Sequence, residues 1–298
     1  MNNLEFEISS QANVALWSLV ACQLITGSTY IVAKIGLREL TPISFGCIRF
    51  LLAGVVLISI LAFLGEMQLP RREDYGDFFL AALLGVPLNQ GLFLYGIKDA
   101  PAAHGALLYA TTPMVVMFLS FVFLSESITL LKCVGIALGF SGVLVILLEK
   151  GVSLSALTLR GDGFIGLAVI AWGFYTIINK RLLKKYRPLY VTALSLSIGS
   201  VLFLPLGIPH LLVEDYSHVS MAGVGSLFYQ SFLTSIVAYL VWTWALGYLE
   251  TGKVAVISNL QPVVATAMGW LVLGEIVPIS FFVGAALVIS GVFLTQKG

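Results

Sequence analysis

The sequence predicts an all-α polytopic membrane protein of ten transmembrane helices, arranged as two inverted-topology five-helix repeats. Three observations predict it. Hydrophobic residues fill 59% of the chain, charged residues only 10%, and the mean hydropathy is +1.00, whereas an average soluble domain carries roughly 25% charged residues. Apolar stretches of about 20 residues, the length that crosses a bilayer core, recur ten times between short polar breaks. The chain also repeats itself. Pro113, Glu126, Gly135, Ala137, Ser141 and Gly142 return as Pro262, Glu275, Gly284, Ala286, Ser290 and Gly291, each 149 positions later. Upstream, Gly27, Lys34 and Pro42 return as Gly173, Lys180 and Pro188 at an offset of 146, which predicts about three extra residues in the second half. Each copy holds an odd number of crossings, so the copies lie upside down relative to one another, an arrangement that secondary transporters use.

Taken in order, the first stretch, 14–33, places Gln23, Gly27, Tyr30 and Lys34 on one helical face. Acidic Glu5 and Glu7 precede it without a basic region or a cleavage pattern, so it reads as a permanent span rather than a signal peptide. The second, 42–64, carries Arg49 seven residues beyond Pro42, about 10 Å along a helix. Its counterpart in the second half is Ser195. An intramembrane arginine is costly unless paired, so Arg49 either binds a substrate carboxylate or snorkels to backbone carbonyls. The third stretch, 78–97, offers Asn89 beside Gln90. In the fourth, 103–124, Pro113 leaves the Tyr109 carbonyl without its donor, with Thr111 and Thr112 alongside.

The fifth stretch, 129–148, carries Gly135 and Gly139 at small-xxx-small spacing. Residues 149–160 join the halves, too short to separate domains, so the chain reads as one transporter-like domain, 1–298, with repeats over 14–148 and 161–295. In the sixth, 161–179, Trp172, Tyr175 and Asn179 share a face; the seventh is 189–208. The eighth, 221–246, is long enough to be tilted or to include an interfacial turn, and puts Gln230 and Thr234 on the stripe of Trp244, with Trp242 nearby. In the ninth, 253–273, Pro262 frees the Ser258 carbonyl next to Asn259 and Gln261, so that the 109/112 pair falls on 258/261. The tenth is 278–295. Glu126 and Glu275 stand before the fifth and tenth spans and are expected to cap them.

Matching interrupted segments in two halves point to a binding site at the midplane. The expected cavity residues are Asn89, Tyr109, Thr112, Trp172, Tyr175, Asn179, Gln230, Trp244, Asn259, Gln261 and Arg49, with Pro113 and Pro262 as hinges. Trp172, Tyr175 and Trp244 would stack on an apolar part of a ligand, and Asn89, Gln230, Asn259 and Gln261 would hydrogen-bond its polar end. Singly, each is better explained by interhelical bonding or packing; as a set they describe an aromatic, amphipathic pocket for a small organic metabolite rather than a bare ion. No Asp or Glu falls near the centre of a span, and His104, His210 and His218 sit at edges or in loops, so no proton relay is expected. The same absence argues against an intramembrane enzyme, a metal site or a cofactor. Cys22, Cys47 and Cys133 read as packing residues. A net charge of +1 leaves no footprint for nucleic acid, so the partners are the lipid bilayer and a small-molecule metabolite. With the amino terminus inside, inner segments hold ten Lys and Arg against five outside, which places both termini in the cytoplasm.

Each half has a proline span that ends in Leu-Ser-Glu (Leu124 to Glu126) or Leu-Gly-Glu (Leu273 to Glu275) and leads into a glycine-rich helix. With the Ile48-Arg49-Phe50 step and the run His104 to Pro113, this pattern resembles the EamA family of the drug/metabolite transporter superfamily over about residues 14–295. The resemblance implies a bacterial inner-membrane permease that exports amino acids or other metabolites, with a central cavity lined by spans one, three, four, six, eight and nine. Alternating access, with the halves rocking about the pseudo-two-fold, is the expected mechanism. An exchanger of sugar phosphates or nucleotide sugars would want paired cations on the cavity, and downstream of the Lys180 to Arg187 cluster there are only Lys253 and Lys297. A non-transporting intramembrane enzyme or lipid-handling protein is the other alternative.

Overall fold

Hydrocarbon offers no partner for backbone N–H and C=O groups, so an apolar chain of this composition satisfies them within itself as helices. The computed structural model of the protein describes residues 2–100, 102–148, 156–273 and 279–298, and no strand occurs among them. Its helices are α1 (Asn2–Gly36), α2 (Pro42–Phe63), α3 (Tyr75–Leu83), α4 (Asn89–Asp99), α5 (Ala102–Tyr109), α6 (Thr112–Leu124), α7 (Leu130–Leu148), α8 (Ala156–Leu182), α9 (Pro188–Val213), α10 (Met221–Phe228), α11 (Tyr239–Tyr248), α12 (Thr251–Ile257), α13 (Leu260–Leu273) and α14 (Ile279–Lys297). Glu275 lies outside the described residues, and so do the side chains of Tyr30, Lys34 and His104.

Eight stretches among the described residues are long and apolar enough to cross a bilayer, and Leu130–Ile146 is apolar but shorter. The expected ninth crossing is divided between α12 and α13. Val55, Phe121, Phe282 and Phe293 are each more than half exposed, as suits side chains covered by lipid rather than water.

α3 and α4 are one continuous rod joined by a π-wound turn at Leu84–Leu88, and α10 and α11 are joined by a longer one at Tyr229–Ala238. The eighth stretch therefore holds neither break nor interfacial turn within the bilayer. α3 and α10 begin 146 positions apart, while α4 and α11 end 149 apart. The three extra residues of the second half thus lie inside this rod, taken up by wider i→i+5 winding. α7 and α14, with 19 residues each, are 149 apart at both ends.

Helix contacts come in matched sets: α2 on α9, α7 on α14, α1 on α13 beside α8 on α6, and α1 on α10 and α11 beside α8 on α3 and α4. A β-carbon at Gly27 would lie 2.7 Å from Val264, and one at its counterpart Gly173 would lie 2.9 Å from Val115, the counterpart of Val264. Likewise a β-carbon at Gly142 would meet the Gly284 carbonyl oxygen at 2.5 Å. Only glycine lets these backbones approach so closely.

Polar contacts gather at the two ends of the helices. At one end Lys185 and Tyr186 hold Asp74, each at 2.7 Å, Arg187 donates to Glu66 at 2.6 Å, and Lys132 pairs with Glu250. There Glu126 accepts from Thr251 N at 3.0 Å and Thr251 Oγ1 at 2.6 Å. It caps α12 across the molecule, not α7, because the chain turns away after Ser125, which takes a left-handed φ of 58°. At the opposite end Glu214 accepts from Thr41 N at 3.1 Å, and Glu39 accepts from Ser220 N at 2.8 Å and Ser220 Oγ at 2.7 Å.

Candidate functional site

Two interrupted helices meet at the centre. Ala110 N donates to Ala106 O and Thr111 N to Leu108 O, both at 3.0 Å, before the Thr111 carbonyl restarts the helix by accepting from Met114 N and Val115 N. In the second half Ser258 N reaches Ala255 O, Asn259 N reaches Val256 O, and Gln261 N reaches Ser258 O at 2.9 Å. The Ser258 carbonyl, expected to lack a donor, is therefore taken by a tighter turn three residues wide.

These turns border a cavity of about 220 Å³ lined from both halves: α1, α2, α4, α5 and α6 on one side; α8, the second π turn, α11 and the 258–262 turn on the other. The lining includes Leu37, Phe45 and Ile97, so the cavity extends toward the end where α1 finishes and α2 begins. α2, a span that the family resemblance leaves off the lining, contributes Phe45 and Gly46 beside the expected Arg49.

Much of the wall is occupied by its own hydrogen bonds. Asn89 donates to Tyr109 Oη at 2.9 Å and Ala168 O at 2.8 Å, and its oxygen accepts from Gln90 at 2.6 Å. Thr26 donates to Gln23 at 3.0 Å, and Thr29 and Thr234 share a bond of 2.9 Å. On the wall, Thr112 Oγ1, Tyr239 Oη, Trp242 Nε1 and both amide atoms of Asn259 are buried and have no partner among the described residues. A buried polar group left so costs about 1–3 kcal/mol, which a polar ligand would relieve. Aromatic rings form the deeper wall, Trp172 lying 5.4 Å from both Tyr239 and Trp242.

Of the expected residues, Arg49, Asn89, Tyr109, Thr112, Trp172, Asn259, Gln261 and Pro262 line the cavity. The rest stand behind it. Tyr175 is fully buried, packed under Trp172 and into the space left by Gly85, whose β-carbon would lie 2.7 Å from its ring. Asn179 is buried one turn further along α8. Gln230 donates to Thr29 O at 3.0 Å and so ties the π turn to α1. Trp244 packs on Tyr248, because the π winding shifts the register and presents Thr234, Ala238 and Trp242 instead. Pro113 sits in the first turn of α6, buried. Tyr239, Thr29 and Phe93 also line the cavity; the first lies beyond the register shift, and the others carry no signal at α-helical spacing. No cluster of potential metal ligands occurs among the described residues.

The EamA-like transporter family matches residues 13–148 and again 159–296. The uncharacterized transporter YoaV of Bacillus subtilis is 25% identical over 276 residues, covering 93% of this chain and 94% of its own. A probable terminal-alkyne amino-acid exporter of Streptantibioticus cattleyicolor is 29% identical, with 95% of this chain and 93% of that one covered. A probable amino-acid metabolite efflux pump of Salmonella typhimurium is 29% identical, with 92% of each covered. One crystal structure shares the fold, with a TM-score of 0.81 over 97% of both chains at 16% identity.

Proposed function

The chain belongs to the EamA-like transporter family, and from that premise we propose that this membrane transporter exports small organic metabolites, such as amino acids or related compounds, across the bacterial inner membrane by alternating access. The reading takes the fold as ten crossings in two inverted five-helix repeats, 14–148 and 161–295, in one domain with both termini in the cytoplasm. The matched helix pairings support the inversion. The observation that carries the function is a set of cavity-wall groups buried without a partner among the described residues: Thr112 and Asn259 at the two broken helices, and Trp242 on α11.

In this reading Trp172, Tyr239 and Trp242 stack on an apolar part of the metabolite, while Thr112, Asn259 and Gln261 bond its polar end. Asn89 acts through Tyr109, which it holds. The cavity extends away from the terminal side and is therefore outward-facing; rocking of the halves about the Pro113 and Pro262 turns would expose it inward. Among the described side chains Arg49 is the one cation on the wall, which disfavours phosphorylated sugars, because these call for paired cations.

Proteoliposomes loaded with labelled metabolites provide the test. Trp172→Ala and Asn259→Ala should each cut efflux of a transported metabolite at least tenfold, and wild-type rates in both variants would remove the cavity from the mechanism.

A further inference from the structure

We propose that the cargo carries a single carboxylate and that Arg49 is its anchor, a deepening that rests on the transport reading above. Arg49 offers five N–H donors in a planar fork suited to a carboxylate. Among the described residues only Nε is engaged, donating to Ser235 Oγ at 2.6 Å. The guanidinium carbon stands 4.8 Å from the Phe50 ring centroid, so an aromatic face backs it on one side. The remaining donors have no acceptor among the described residues, and no described carboxylate lies within ion-pair distance.

A cation at this depth, on a cavity wall and without a counter-ion, is costly once the cavity closes over it and its water leaves. An anion arriving with the cargo removes that cost. The anchor is one-sided: Ser195 stands where the second half would carry a matching cation, and it is buried. One charge is matched and a second is not, which selects a monocarboxylate over a dicarboxylate or a phosphate dianion. Ser235 comes from the other half, in the second π turn, so the two repeats jointly aim the fork.

The apolar end follows from depth. Arg49 lies seven residues inside one end of α2 and Trp172 ten residues from the opposite end of α8; at 1.5 Å per residue on a rod of about 33 Å, the two differ by roughly 8 Å in depth. That suits a carboxylate joined by a short chain to a ring or a branched apolar group.

Calorimetric titration of the full-length protein in lipid nanodiscs with 3-phenylpropionate, its neutral amide and 3-phenylpropylamine tests the idea. The acid should bind wild type at least tenfold more tightly than the amide or the amine. Arg49→Gln should erase that preference while leaving amide affinity within twofold, and Arg49→Lys should restore part of it. Equal binding of acid and amide by wild type overturns the carboxylate anchor and leaves the transport reading standing; so does an undiminished preference in Arg49→Gln. Should Arg49→Gln fail to fold, the wild-type comparison decides, together with Ser235→Ala, in which the preference should fall several-fold. Failure of all three probes to bind overturns the inference and the cavity reading together.

Discussion

Asn89 and Asn259 are the same residue type on the same cavity, yet only one has groups to spare. The Asn89 amide is taken up by Tyr109, Ala168 and Gln90, whereas neither amide atom of Asn259 has a partner among the described residues. Sequence spacing flagged both, but hydrogen-bond capacity depends on neighbours up to 79 positions away. Gly291 is likewise defined by what it touches: a β-carbon there would lie 2.5 Å from Gly139 N. Backbone cannot move aside as a flexible side chain can, so Gly291→Ala should cost about 1–3 kcal/mol. Chemical denaturation in detergent micelles should register the loss, and unchanged stability would mean that α7 and α14 are not in register there.

Among the elements, the broken helices were legible in the sequence and the wound ones were not. Proline removes a donor wherever it stands, so the interruptions before Pro113 and Pro262 follow from local chemistry. The π turns come instead from fitting rods of 25 and 28 residues into equivalent places, and they moved Trp242 rather than Trp244 onto the cavity. Helix capping was also non-local. Glu126 and Glu39 cap helices from the other half. The bonds from Ser220 hold the exposed Glu39 carboxyl below the usual carboxylate range. A depressed native pKa means that this contribution is complete above the unfolded value and lost as pH falls through the folded one. Melting temperatures of wild type and Glu39→Ala should accordingly differ at pH 7 and converge below about pH 4; a gap that persists in acid would assign the effect to something other than the charge.

On the scale of the molecule, the cavity reaches toward one end, and hydrogen bonds cross the other. Lys180 Nζ donates to Leu246 O at 2.6 Å and Leu249 O at 2.8 Å, pinning α8 to the end of α11 beside Glu126 and Glu250. If the halves rock, these contacts must break. Lys180→Ala, combined with Cys47→Ser and Cys133→Ser, should raise several-fold the rate at which an impermeant maleimide added on the terminal side modifies the cavity-lining Cys22. An unchanged rate would show that closure rests on other contacts.

The sequence alone determined that the chain is helical and membrane-embedded, that it contains itself twice, and where two helices must break. These are consequences of side-chain polarity and of proline, which act over a few residues. Which polar groups face the cavity, that no described carboxylate lies within ion-pair distance of Arg49, that Glu126 caps a helix of the other half, and toward which end the cavity extends were decided only by tertiary structure. Each depends on how a helix is rotated about its axis when ten-ångström rods pack, and that rotation is set jointly by distant contacts such as Gly27 on Val264 and Gln230 on Thr29.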